Sequence, residues 1–96
     1  MNVELSVNYT PVAIEEFVQQ FVGNVVIALT DSLKDTNGAE NIKLSIKGDE
    51  VELTADDNVI QMKTFVVDFV RNTVIGMVSS LKGVDQIESL DINITR

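Results

Sequence analysis

The chain contains no cysteine, no histidine and no tryptophan among its 96 residues. Without imidazole or thiolate side chains, the usual ligands of zinc, copper, haem and iron–sulfur clusters are missing, as are the nucleophile–base pairs of serine and cysteine hydrolases. No disulfide can form. Any general acid or base would have to be a carboxylate, a lysine or the single tyrosine, Tyr9. Basic side chains are scarce: seven Lys and Arg stand against fifteen Asp and Glu, a formal net charge of −8. A nucleic acid partner needs a clustered basic surface, and the two lysines closest in sequence, Lys43 and Lys47, are diluted by Glu40 and Asp49, so none is expected. The same charge disfavours anionic membrane surfaces. Long hydrophobic runs are also lacking. The longest uncharged stretch, residues 17–30, is interrupted by Gln19, Gln20 and Asn24 and falls short of the roughly 20 apolar residues of a membrane span. The first residues, broken by Asn2, Glu4, Ser6 and Asn8, do not have the make-up of a signal peptide, and a cytoplasmic location is expected.

What is present is mostly apolar: 45% of the side chains are hydrophobic. A chain of this length supports one domain, residues 1–96, with a single thin core. Shifting the sequence by 48 residues aligns the halves 1–48 and 49–96 without a gap. Val3-Glu4-Leu5 falls on Val51-Glu52-Leu53, Phe17-Val18 on Phe65-Val66, Phe21-Val22 on Phe69-Val70, and Ser32-Leu33-Lys34 on Ser80-Leu81-Lys82. Two copies are too few for a solenoid, so they are expected to close on each other about a pseudo-twofold axis.

Each half opens and closes on strict alternation. Val3, Leu5 and Val7 oppose Glu4 and Ser6, and Ile42, Leu44 and Ile46 oppose Lys43 and Ser45; Val51, Leu53 and Ala55, then Leu90, Ile92 and Ile94, do the same in the second half. Such a pattern predicts four amphipathic strands with one buried and one wet sheet face. Between them the periodicity predicts long helices over residues 11–35 and 58–82. Thr10 and Pro11 suit one helix start, Asn58 and Gln61 suit the other, and Gly83 suits a position just past a helix end. Ile14, Phe17, Val18, Phe21, Val22, Val25, Val26, Ala28, Leu29 and Leu33 mark the apolar half of the first helix, and Met62, Phe65, Val66, Phe69, Val70, Val74, Gly76, Met77 and Leu81 that of the second. Gly48-Asp49 suits a two-residue hairpin turn at the middle of the chain.

These elements predict an α+β fold, a two-layer ferredoxin-like sandwich (βαββαβ) from tandem duplication of a 48-residue unit. It has a four-stranded antiparallel sheet in the order 4-1-3-2 and two long helices on one face, so the strands of Glu4 and Glu52 lie side by side. The resemblance is one of topology. Residues remove three of its common occupants: the wet sheet face lacks the stacking aromatics of RNA-recognition domains, Asn8-Tyr9-Thr10-Pro11 lacks the thiols of metal chaperones, and neither Arg71 nor Arg96 sits in the glycine-rich loop of acylphosphatases. An ACT-like regulatory domain, binding a small ligand at a dimer seam or near the turns at Tyr9 and Asp57, remains the alternative.

The candidate polar site is the pair Glu4 and Glu52, whose carboxylates could together hold a cation; salt bridges to Lys43 and Lys47 are the structural alternative. Asp56-Asp57-Asn58 is read as a helix cap, and Tyr9 as a rim residue. Helices of 25 residues span about 37 Å against about 23 Å for a seven-residue strand, so the helix ends should overhang the sheet. Val26, Ile27, Leu29, Leu33, Val74, Ile75, Met77 and Leu81 would then be bare, and they are the expected contacts of a homodimer. The sequence thus predicts a non-catalytic, self-associating interaction or assembly module, with no cofactor and with another protein as a second conceivable partner.

Overall fold

A computed structural model describes residues 1–33 and 38–96. In chain order its elements are β1 (Asn2–Val7), β2 (Thr10–Val12), α1 (Glu16–Asp31), β3 (Asn41–Lys47), β4 (Glu50–Ala55), β5 (Asn58–Val59), α2 (Thr64–Ser79) and β6 (Ser89–Thr95). The strands form one antiparallel sheet in the order β2-β1-β6-β3-β4-β5. The alternating strands bury one side: Val3, Leu5, Ile42, Leu44, Ile46, Leu53, Leu90, Ile92 and Ile94 are all at most 4% exposed. Val22, Val26, Val70, Val74 and Val78 of the helices complete that core.

Three expectations are corrected. The sheet has six strands instead of four, and each half of the chain forms strand, short strand, helix, strand, so neither the βαββαβ ferredoxin-like sandwich nor its duplicated strand–helix–strand unit forms. The sheet order differs as well. β3 and β6 lie at the centre, paired from Asn41↔Thr95 to Lys47↔Ser89, while the strands of Glu4 and Glu52 are separated by both of them. The physical reason lies in the side chains. β3 and β6 bring six large aliphatic residues at 2% exposure or less, whereas β1 and β4 bring one buried leucine each, Leu5 and Leu53, beside Val3, Val7, Val51 and Ala55, which are smaller and less completely covered. The strands that bury most apolar area take the positions flanked on both sides.

The third correction concerns the helices, which have 16 residues each. Their first expected turns are spent on hairpins. Asn8 and Tyr9 (φ 52° and 64°) and Asp56 and Asp57 (φ 48° and 67°) are all left-handed, as both central residues of a type I′ turn must be. Asn and Asp tolerate this conformation better than other non-glycine residues. Each turn folds a short edge strand back: β2 pairs with β1 from Leu5↔Val12 to Val7↔Thr10, and β5 with β4 at Thr54↔Val59 and Ala55↔Asn58. Pro11 therefore sits in an edge strand, where its missing N–H costs little and discourages further pairing. Asn58 is a strand residue, and the helices start at Glu16 and Thr64 without side-chain caps from Glu15 or Lys63. A 16-residue helix spans about 24 Å, close to the length of the strands beneath it, so the expected overhang disappears. The expected first-helix end at residue 35, and Lys34 with it, lies outside the described residues.

The turn side chains also pin the central strands. The Asn8 Oδ1 accepts hydrogen bonds from the backbone N–H of Glu88 (2.8 Å) and Ser89 (3.0 Å), and its Nδ2 donates to the Gln86 carbonyl (2.8 Å). On the other side Asp56 Oδ1 accepts from the N–H of Glu40 (3.1 Å) and Asn41 (2.9 Å). Asn8→Ala removes three hydrogen bonds and a residue suited to positive φ, and it should destabilise the fold by about 2 kcal/mol. Asn8→Asp should recover more than half of that loss, because Asp56 does the equivalent work with a carboxylate. Urea unfolding of the two variants checks this; equal losses would show that the side-chain acceptor is not what matters. Between β3 and β4 the chain reverses at Gly48-Asp49, with Lys47 opposite Glu50 and Gly48 at φ 60°, the glycine position of a type II′ turn.

Candidate functional site

The wet sheet face does not bring the expected carboxylates together. Glu4 on β1 faces Asn93 on β6, and Glu52 on β4 faces Ser45 on β3, so three strand spacings, about 14 Å, separate them. Glu52 instead borders a shallow polar depression of 360 Å³ with Lys43, Asp57 and Asp91. Lys43 stands opposite Thr54, and Lys47 lies 5.6 Å from the Tyr9 ring centroid, a cation–π distance. The described ion pairs are elsewhere. Arg96 holds both oxygens of Asp31 at 3.1 Å, and Arg71 reaches Asp49 at 3.9 Å while donating to the Gly48 carbonyl at 2.7 Å. Among the described residues no three Asp or Glu side chains group as they would around a metal ion. Near the first turn, a 700 Å³ depression is bordered by Asn8, Thr10, Pro11 and Gly83 to Gln86, and among the described residues its only titratable group is Asp85.

The unusual surface is on the helices. At 100° per residue, Val22, Val26 and Thr30 of α1 point within about 80° of one another, and Phe17, Phe21, Asn24 and Ala28 point about 170° away from them. The first group is buried against the sheet. The second is exposed. In α2 the buried set is Val70, Val74 and Val78, and the exposed set is Phe65, Phe69, Asn72 and Gly76. All four phenylalanines of the chain thus face outward, with exposures of 68, 63, 69 and 64% for Phe17, Phe21, Phe65 and Phe69. A helix apolar on two opposite faces is the pattern of a helix covered on both sides.

The two helices run in opposite directions. β1 and β3 are each antiparallel to β6 and so parallel to each other, as β4 and β6 are through β3, and α1 and α2 each lead, after a short edge strand, to the start of the parallel strand two places away in the sheet. Accordingly the first half of α1 lies beside the end of α2. Phe17, Phe21 and Val25 there form one wall of an apolar groove, with Met77 and Leu81 opposite, enclosing 610 Å³. Between Glu16 and Asp31, α1 carries no charge, and α2 carries only Asp68 and Arg71, the latter turned toward the Gly48 carbonyl.

Of the residues expected at a dimer contact, Val26 and Val74 are fully buried in the core of their own chain. Ile27, Leu29, Leu33, Ile75, Met77 and Leu81 are half-buried and pack against that core, with Met77 and Leu81 also reaching the groove. Periodicity puts the outward phenylalanines on the same half-cylinder as the core valines. In both helices the apolar arc is continuous, running from the phenylalanines through half-buried Val18, Val25 and Leu29, or Val66 and Met77, to the valines. Which edge of that arc meets the sheet is not visible in the sequence. Facing strands already filled with Ile and Leu leave room for valine, and phenylalanine there would overpack the interior.

Among the described residues no helix is long and apolar enough to cross a membrane. Comparison with protein-family models, with curated proteins and with solved structures yields no match to this chain.

Proposed function

We propose that this chain is a small non-catalytic assembly module that binds a second copy of itself through the outward face of its helices. The observation that carries this reading is the exposure of all four phenylalanines on one face of two adjacent helices. With 150–250 Å² per aromatic side chain, their exposed fractions amount to roughly 400–650 Å². Half-buried Val18, Val25, Met77 and Leu81 flank them. Together these supply about the 800 Å² that each partner contributes to a standard stable interface. A second copy fits because the charges that make each chain acidic lie mainly on strands and turns, away from the helix stripes. Two chains of −8 can approach helix to helix with little charge buried.

Sedimentation equilibrium at micromolar concentration should return twice the 10.6 kDa chain mass. A monomer throughout the micromolar range would remove the reading. Because the net charges of the copies repel over a screening length of about 10 Å, added salt should tighten the dimer a few-fold. Salt that loosens it would indicate attraction between opposite charges as the main force and would overturn the apolar contact as its basis.

A further inference from the structure

The outward stripe of each helix is bulky in its first half and small in its second. On α1 it runs Phe17, Phe21, Asn24, Ala28; on α2 it runs Phe65, Phe69, Asn72, Gly76. A Cβ built on Gly76 meets nothing within 4 Å, so the small end is an open seat. When two such helices stack antiparallel, the phenylalanines of each lie over the small residues of the other. A twofold axis parallel to the sheet allows this in two ways: like helix on like helix, or α1 on the partner's α2 at both positions.

Charge at the helix ends separates the two. Glu15 and Glu16 open α1, Lys63 precedes α2, and Lys82 follows its end; all four are exposed. Antiparallel stacking sets the start of one helix against the end of the other. Like on like places Lys63 over the partner's Lys82 twice, and it places Glu15 and Glu16 near the partner's Asp31, which Arg96 already holds. Unlike on unlike places Glu15 and Glu16 beside the partner's Lys82, again twice. Exposed pairs of this kind add little affinity, yet they set which of two similarly shaped arrangements forms.

Resting on the self-association proposed above, we infer that the copies stack with α1 antiparallel on the partner's α2 at both positions. Phe17 and Phe21 then sit over the partner's Gly76, and Phe65 and Phe69 over the partner's Ala28. The interface is a layer of four helices between two outward-facing sheets.

Cysteine crosslinking tests this directly, since the chain has no cysteine of its own. Asn24 and Asn72 lie at the middle of their stripes. With helix axes about 9–10 Å apart and Cα atoms about 2.3 Å from each axis, facing positions come within roughly 4.4–5.4 Å, a disulfide distance. After oxidation, Asn24→Cys alone and Asn72→Cys alone should stay uncrosslinked on a denaturing gel. An equimolar mixture of the two should convert roughly half of its chains to covalent dimer, the share of mixed pairs in random exchange. Crosslinking of each single variant with itself would show like on like and overturn the inference. No crosslink in any sample, with a dimer still present by sedimentation, would overturn the stacking while leaving self-association standing. A monomer by sedimentation would remove both.

Discussion

Replacing Phe21 and Phe69 together with serine should turn the dimer into a folded monomer, weakening association by more than about a thousandfold. Buried aromatic anchors at an interface commonly contribute 2 kcal/mol or more each, and a twofold dimer loses each of them twice. Folding should scarcely change. Both side chains are more than 60% exposed and point away from the sheet, so their removal leaves no cavity in the core. The unfolding free energy of the monomeric state is expected to stay within about 0.5 kcal/mol of the unsubstituted chain. Sedimentation reads the first effect, and urea unfolding at low concentration reads the second. An unchanged dissociation constant would move the contact elsewhere on the molecule. A variant that no longer folds would show that the phenylalanines belong to the core.

Ile92→Ala should have the largest effect on folding, a loss of about 3–4 kcal/mol. Ile92 is fully buried on β6, with Leu5 of β1 on one side and Leu44 of β3 on the other, and the helix valines lie over the same face. The surrounding aliphatic residues cannot all close around the vacancy, so transfer energy is lost and a cavity is left behind. For a domain of this size that is a large share of the total stability. The measurement is cleanest in the Phe21→Ser/Phe69→Ser background, where association does not add to the apparent stability. A loss below 1 kcal/mol would mean that β6 is not a central strand. In the 4-1-3-2 order expected from the sequence the same residue would lie on an edge strand, with one covered flank and a smaller penalty.

The alternating strands were legible because period-two patterning has one meaning on a half-buried sheet: Val3, Leu5 and Val7 can only share a face, as can Leu90, Ile92 and Ile94. The Gly48-Asp49 reversal was legible because local backbone chemistry decides it. Asn8-Tyr9 and Asp56-Asp57 were harder. The same residue types serve as helix caps and as hairpin turns, and the following segments, Thr10–Val12 and Asn58–Val59, are too short to show a period of their own.

Tertiary structure alone decided three further matters. Sheet order depended on how much apolar area each strand buries when flanked on both sides, a sum over neighbours that no local window contains. Helix length depended on whether residues after the turn gained more by pairing with β1 and β4 than by extending a helix past the sheet. Finally, the sequence shows one broad apolar arc on each helix, with valines toward one edge and phenylalanines toward the other. The inward choice of valine, and with it the outward array of Phe17, Phe21, Phe65 and Phe69, followed from the space between the helices and a floor already filled with isoleucine and leucine.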